Sequence, residues 1–195
     1  MYTDKNNVIV CSQSNTFILQ GVSDMRTNIS GRVSKLQLPA QHCLAPLFEA
    51  IVNSIQSIQN SSLECDGRIT VSILRDRANL FGRSSNKSAD ITVLPVRGFV
   101  ITDNGEGFNA RNYESFNIAD SDYKAHIGGK GIGRFLWLKA FDNICVESIY
   151  EEDGIRKKRS FNFVPDGEGI SDLCDTPCSE MLSTTVRLED FKDNY

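Results

Sequence analysis

The stretch Gly98–Phe108, GFVITDNGEGF, limits what this chain can fold into more than any other part of it. Phe99, Val100 and Ile101 form a short apolar, β-branched run that predicts a buried strand ending at Asp103. Asn104-Gly105-Glu106-Gly107 then turns the chain, with two glycines free to adopt φ > 0. A carboxylate therefore sits at the mouth of a strand, beside backbone that a flat, polar-edged ligand can approach closely. Asp103 can accept a hydrogen bond from an exocyclic amine at that place. The same residues would also serve as an ordinary strand-to-helix turn.

A second glycine cluster, Gly128-Gly129-Lys130-Gly131-Ile132-Gly133, opens the apolar run RFLWLKAF, which predicts a buried helix. Unpaired backbone amides and the positive end of a helix dipole make such a start an anion site, and Lys130 adds a point charge for a phosphate. The cluster is neither a GxxxxGK[ST] loop nor a dinucleotide fingerprint, since no β-α-β pattern surrounds it. A helix that needs close packing at its start would account for the glycines as well.

The third signal lies on a helix predicted over Ala40–Asn60. Leu44, Leu47, Phe48, Ile51, Ile55 and Ile58 follow helical spacing in one stripe, and Glu49, Asn53, Gln56 and Asn60 fall on the opposite face. A carboxylate one turn from a carboxamide can orient a water and offer oxygen to a hard cation. A solvated polar face is the other reading of the same pattern.

The rest of the chain supplies strands. GRITVSILRD (67–76) alternates, Ile91–Leu94 reads as a strand turning at Pro95 into the Gly98 strand, and Ala110–Ile118 is helix-like. Asn143–Tyr150 and Ile155–Val164 form a predicted hairpin, 165–181 reads as loop-rich, and Ser183–Phe191 as a final strand. Hairpins dominate, so an α+β two-layer sandwich is expected, a mostly antiparallel mixed sheet with helices on one face. Residues 1–39 read as an N-terminal extension and 40–195 as the domain. With 195 residues and a net charge of −4, the chain can bury one sizeable core and lacks a generally cationic surface. No apolar run nears the length of a membrane span, and no secretory leader is visible. The six cysteines share no repeating spacing, and Cys174–Cys178 has no second pair. Reduced thiols in a cytosolic protein are expected, rather than zinc.

Taken in order, Glu49-Ala-Ile-Val-Asn53, Asp103-Asn-Gly105-Glu-Gly107 and Gly128-Gly-Lys-Gly131-Ile-Gly133 resemble the N box and the two glycine boxes of the GHKL ATPases. That superfamily holds gyrase, heat-shock chaperones, histidine kinases and MutL, with MORC proteins as relatives. The resemblance covers about residues 40 to 190. It implies a Bergerat fold with ATP between the sheet and a lid at 119–130. Asp103 would bind the adenine amine, with Gly105 turning the chain and Gly107 against the base. Asn53 would ligate Mg²⁺ on the phosphates, Glu49 would be the general base for water, and Gly129, Lys130, Gly131, Ile132 and Gly133 would hold the phosphates. Ser183-Thr184-Thr185-Val186-Arg187-Leu188 resembles the later GT-x-V-x-L strand, which makes Thr184 the adenine-side hydroxyl.

Two departures stand out. Ser183 replaces the usual glycine, and Gln56 stands where many members carry an acid. Glu49, often asparagine in histidine kinases, favours a hydrolase, and IGGKGIGRFLWLKAF looks most like bacterial MORC and MutL relatives. In those families a second domain supplies a lysine to the γ-phosphate and ATP closes a homodimer, so this chain is expected to be the N-terminal module of a longer protein. Other outcomes are a nucleotide-gated binding module with negligible hydrolysis, or a kinase catalytic domain. A protein or DNA client is unidentified; Arg156-Lys157-Lys158-Arg159 could touch nucleic acid, or form a solvated face.

Overall fold

Alternating apolar residues and one tight turn set the frame of the sheet. Strand β3 (Phe141–Glu152) and strand β4 (Ile155–Phe163) pair antiparallel. Asp153 and Gly154, both at positive φ (52° and 74°), make the two-residue connection. In this computed structural model, residues 29–61, 66–76, 94–117, 133–193 and 195 are described. Strands β1 (Ile69–Arg75), β2 (Val96–Asp103), β5 (Ile170–Pro177) and β6 (Ser183–Phe191) complete a six-stranded sheet of order β1-β2-β6-β3-β4-β5. Every pairing in it is antiparallel. The last strand in sequence fills the centre of the sheet, where Val186 and Leu188 are buried.

Helices α1 (Ile29–Lys35), α2 (Ala45–Asn60), α3 (Ala110–Asn117) and α4 (Phe135–Ala140) supply the second layer, with a short 3-10 turn at Ala40–His42. Core residues from the sheet (Phe99, Ile101, Ile144, Val146, Phe161) meet Ala50, Phe135, Trp137 and Leu138 from the helices. Trp137 is fully buried, and its indole N–H donates to the Pro46 carbonyl (3.0 Å), tying α4 to the start of α2. Phe116 of α3 lies between Phe108 and Phe163 (5.5 and 5.0 Å between ring centres). The α+β sandwich expected from the sequence is the observed architecture.

Three local readings differ. Helix α2 buries its small residues, Pro46 against Trp137 of α4, Ala50 in the core and Ser54 against Asp103 of β2. Leu47 and Ile51 of the apolar stripe reach the core, whereas Phe48 stays 58% exposed. Small side chains let the helix axis approach the strands, which turns the larger ones outward. The strand β5 falls inside the segment read as loop-rich. It is an edge strand exposed along most of its length, so it needs no apolar alternation, and a register shift between Ser160 and Asn162 interrupts its pairing. Of the strand expected at Ile91–Leu94, residues 91–93 lie outside the described residues. Leu94 sits in a bend, and β2 begins at Val96 with β1 as its hairpin partner.

Candidate functional site

The site is built at the end of β2. Asp103 closes that strand and is buried, opposite Thr184 of β6. Its Oδ1 accepts from the Gly105 amide (2.9 Å), which fixes the turn, and its Oδ2 accepts from the Ser54 hydroxyl (2.7 Å). Burial raises the Asp103 pKa above the ordinary carboxylate value; the Gly105 and Ser54 hydrogen bonds pull against that rise. A carboxylate has about four acceptor positions, so two fixed donors leave capacity for another.

The turn itself is locked by close approach. A Cβ on Gly105 would collide with the Ser57 side chain and with the backbone of Ser57 and Ile58. Gly107 adopts φ 75°, and a Cβ there would come within 2.8 Å of Ser148 Oγ. The Glu106 amide donates to the Ser57 carbonyl (3.3 Å), so α2 and the turn form one unit. Asn104 anchors the outer side by accepting from the Arg68 amide (2.6 Å) and donating to the Asp66 carbonyl (3.0 Å). Thr184 Oγ1 and Ser148 Oγ lie 2.9 Å apart, and the Phe108 amide donates to Ser148 Oγ (2.9 Å).

Helix α2 carries the other end of the site. Glu49 is half-buried, with its carboxyl directly against the Cα of Gly133, where a Cβ would overlap it. Asn53 is half-buried one turn further on. Ser54, which touches Asp103, is five residues from Glu49, or about 7.5 Å along the helix axis. The structure therefore gathers Asp103, Gly105, Gly107 and Thr184 around the end of β2, and sets Glu49, with Asn53 one turn on and Gly133 against it, further back along α2. Gly129, Lys130, Gly131 and Ile132 lie outside the described residues, as does the expected lid at 119–130. Helix α4 after Gly133 has six residues, so its dipole is short.

Sequence reasoning passed over Ser54, Ser57 and Ser148. Ser54 follows Asn53 on the small-residue line of α2, and Ser148 is a polar residue at an inward position of β3, between buried Val146 and Tyr150. A hydroxyl where alternation calls for an apolar side chain was the available signal.

The donor set fits an oxygen-preferring cation that a ligand helps to hold. No group of three or more His, Cys, Asp or Glu residues that could hold a metal occurs among the described residues. Asn53 offers a neutral carboxamide oxygen beside the Glu49 helix turn. The four cations of the 156–159 run are each paired: Arg156 with Glu151, Lys157 with Glu152, Lys158 with Glu147 and Arg159 with Asp175. Cys43, Cys145, Cys174 and Cys178 are free thiols. Among the described residues no helix is long and apolar enough to cross a membrane.

No protein-family model matches the chain, and no curated protein matches it. Among solved structures, the ATPase and transducer domains of DNA topoisomerase II from Balamuthia mandrillaris are similar to it at 14% identity and a TM-score of 0.48. That similarity covers 76% of this chain and 37% of the other, so the chain spans little more than a third of that structure's length.

Proposed function

We propose that this chain is a GHKL-type module that binds ATP and hydrolyses it with Mg²⁺. One observation carries the reading: a single helix, α2, sets the Glu49 carboxyl against Gly133 and the Ser54 hydroxyl on Asp103. One residue of each sequence box, Glu49, Asp103 and Gly133, thus adjoins α2 or lies on it, which supports a ligand with its base at one end and phosphates at the other. Asp103 accepts the adenine amine in its remaining acceptor capacity, with Gly107 against the base and Thr184 beneath it. Gly129, Lys130, Gly131, Ile132 and Gly133 hold the phosphates through backbone amides and the lysine charge.

Asn53 would offer its carboxamide oxygen to Mg²⁺, which when bound would supply charge neutralisation at the phosphates. Glu49 takes the proton of the attacking water, a role supported by its contact with Gly133, the last glycine of the phosphate-holding cluster. In this reading residues 40–195 form the ATP-binding domain of a longer cytosolic protein of MORC or MutL character. Nucleotide closes the 119–130 lid and favours a homodimer, and ADP release reopens it.

A calorimetric titration with ATP, with and without Mg²⁺, tests the reading. Saturable binding that tightens with Mg²⁺ is the expected result; absence of ATP binding overturns it.

A further inference from the structure

A row of polar residues crosses the helix-covered face of the sheet. Register sets Asp103 opposite Thr184, Thr184 opposite Ser148, Ser148 opposite Arg159, and Arg159 opposite Asp175. Five neighbouring strands thus each give one polar side chain at the same level, with opposite residues about 5 Å apart. The first two belong to the base pocket proposed above. The row continues well beyond it.

Arg159 is the least expected member. Its side chain is only 11% exposed, and its guanidinium lies over the rings of Tyr113 and Tyr150 (4.5 and 4.8 Å). Nη2 donates to Tyr150 Oη (2.8 Å) and to Asp175 (2.5 Å). Nη1 turns the other way and donates to the Phe108 carbonyl (2.8 Å), while Nε is buried with no acceptor. An arginine placed only to pair with Asp175 would present two N–H groups side by side to its carboxylate. Here one arm of the fork goes to backbone instead, and a buried donor is left unmade for it.

That backbone is the residue after Gly107. The Phe108 amide is held by Ser148, its carbonyl by Arg159, and the Gly107 carbonyl by Asn112 Nδ2 (2.7 Å). Adjacent members of the row therefore grip both sides of Phe108. We infer that Arg159 is a positioning residue for the purine: it fixes the Gly107–Phe108 backbone at the height at which the base lies between that backbone and Asp103. The inference rests on the nucleotide reading of the site. It also separates Arg159 from Arg156, Lys157 and Lys158, whose pairs are more exposed.

The test compares the full chain with Arg159→Lys and Arg159→Met. ATP affinity is measured by calorimetry in Mg²⁺, and exchange of the 104–109 amides by mass spectrometry. A lysine keeps the charge beside Asp175 but cannot reach Phe108, Tyr150 and Asp175 together, so a merely structural role would leave it near wild type. The expected result is roughly tenfold weaker ATP binding in both variants, with faster exchange confined to the 104–109 segment. Arg159→Lys decides the matter if the methionine variant does not fold. ATP affinity within twofold of wild type in Arg159→Lys overturns the inference, as does exchange that rises throughout the sheet. Wild type that binds no ATP overturns the nucleotide reading itself, and a wild type that binds beside an equally tight Arg159→Lys overturns only the role of the arginine.

Discussion

Ser54 donates its hydroxyl proton to Asp103 across 2.7 Å, and both side chains are buried. The bond joins the middle of α2 to the last residue of β2, and it lets a carboxylate remain out of water with its negative charge partly compensated. Burial still wins over the two hydrogen bonds, because the net shift of the Asp103 pKa is upward. Asp103 is thus kept at a cost to stability, as a group retained for binding would be.

Asp103→Asn should separate those two roles. The amide can still accept from Gly105 and meet the Ser54 hydroxyl, but it carries no charge to desolvate. A raised carboxyl pKa in the folded state gives stability that is full below the unfolded value and lost as pH rises through the folded one. Wild type should therefore lose stability across that window relative to Asp103→Asn, which should be flat there. At pH 7 the variant should be as stable as wild type or more so, yet bind ATP at least tenfold more weakly, since it offers the adenine amine a weaker acceptor. Denaturant titrations across acid pH, with ATP calorimetry at pH 7, check both. An unfolded variant, or one with wild-type affinity, contradicts the assignment.

The basic run on β4 should prove inert toward nucleic acid. Arg156, Lys157 and Lys158 each face a carboxylate across or beside the hairpin, at 3.4, 2.8 and 3.0 Å. Pairing raises the Lys157 and Lys158 pKa values, chiefly through the hydrogen bonds they donate to Glu152 and Glu147, so both lysines stay charged but already compensated. A DNA backbone would have to displace those acids. Replacing all three by alanine should change the slope of DNA affinity against salt by less than about one phosphate contact. A larger fall in slope would make this hairpin a nucleic-acid surface.

The β3–β4 hairpin was readable from sequence because Asp153-Gly154 declares its turn and the alternation declares its faces. That Asp103 closes a strand, Glu49 lies on a helix and Gly133 precedes one was readable from a β-branched run and from helical spacing. Ser148 and Arg159 were not, since their meaning depends on register: only strand pairing sets 148 opposite 184 and 159. The edge strand β5 gave no signal because an exposed strand is specified by backbone pairing rather than by apolar period. The outer half of the α2 stripe misled because large apolar residues were assumed to face inward. Pro46, Ala50 and Ser54 occupy that line, and Phe48 looks outward.

Glu49→Gln keeps the size of the side chain beside Gly133 and removes only its basicity. Turnover of ATP should fall by about 10²–10⁴-fold, the usual worth of a positioned general base. ATP affinity should stay within about threefold of wild type, because a general base acts on water and not on the purine. Steady-state phosphate release and calorimetry on the same preparation measure the two quantities. Unchanged turnover would remove Glu49 from the chemistry.

Gly133→Ala and Gly105→Ala should fail in different ways, and the difference locates function in the molecule. At Gly105 the new methyl would meet backbone atoms of Ser57 and Ile58 that helix α2 holds rigidly. Relief requires shifting the turn from the helix, so the cost falls on stability, about 1–3 kcal/mol for an overpacked buried site. At Gly133 the obstacle is the far end of the Glu49 side chain, which can rotate aside. The fold should survive, with a thermal midpoint within a few degrees of wild type, while the carboxyl is swung from its place. If Glu49 is the base proposed above, turnover in Gly133→Ala should then approach that of Glu49→Gln, and combining the two should cost little more than either alone. Fully additive losses would mean that Gly133 serves the phosphates directly and that its contact with Glu49 is incidental.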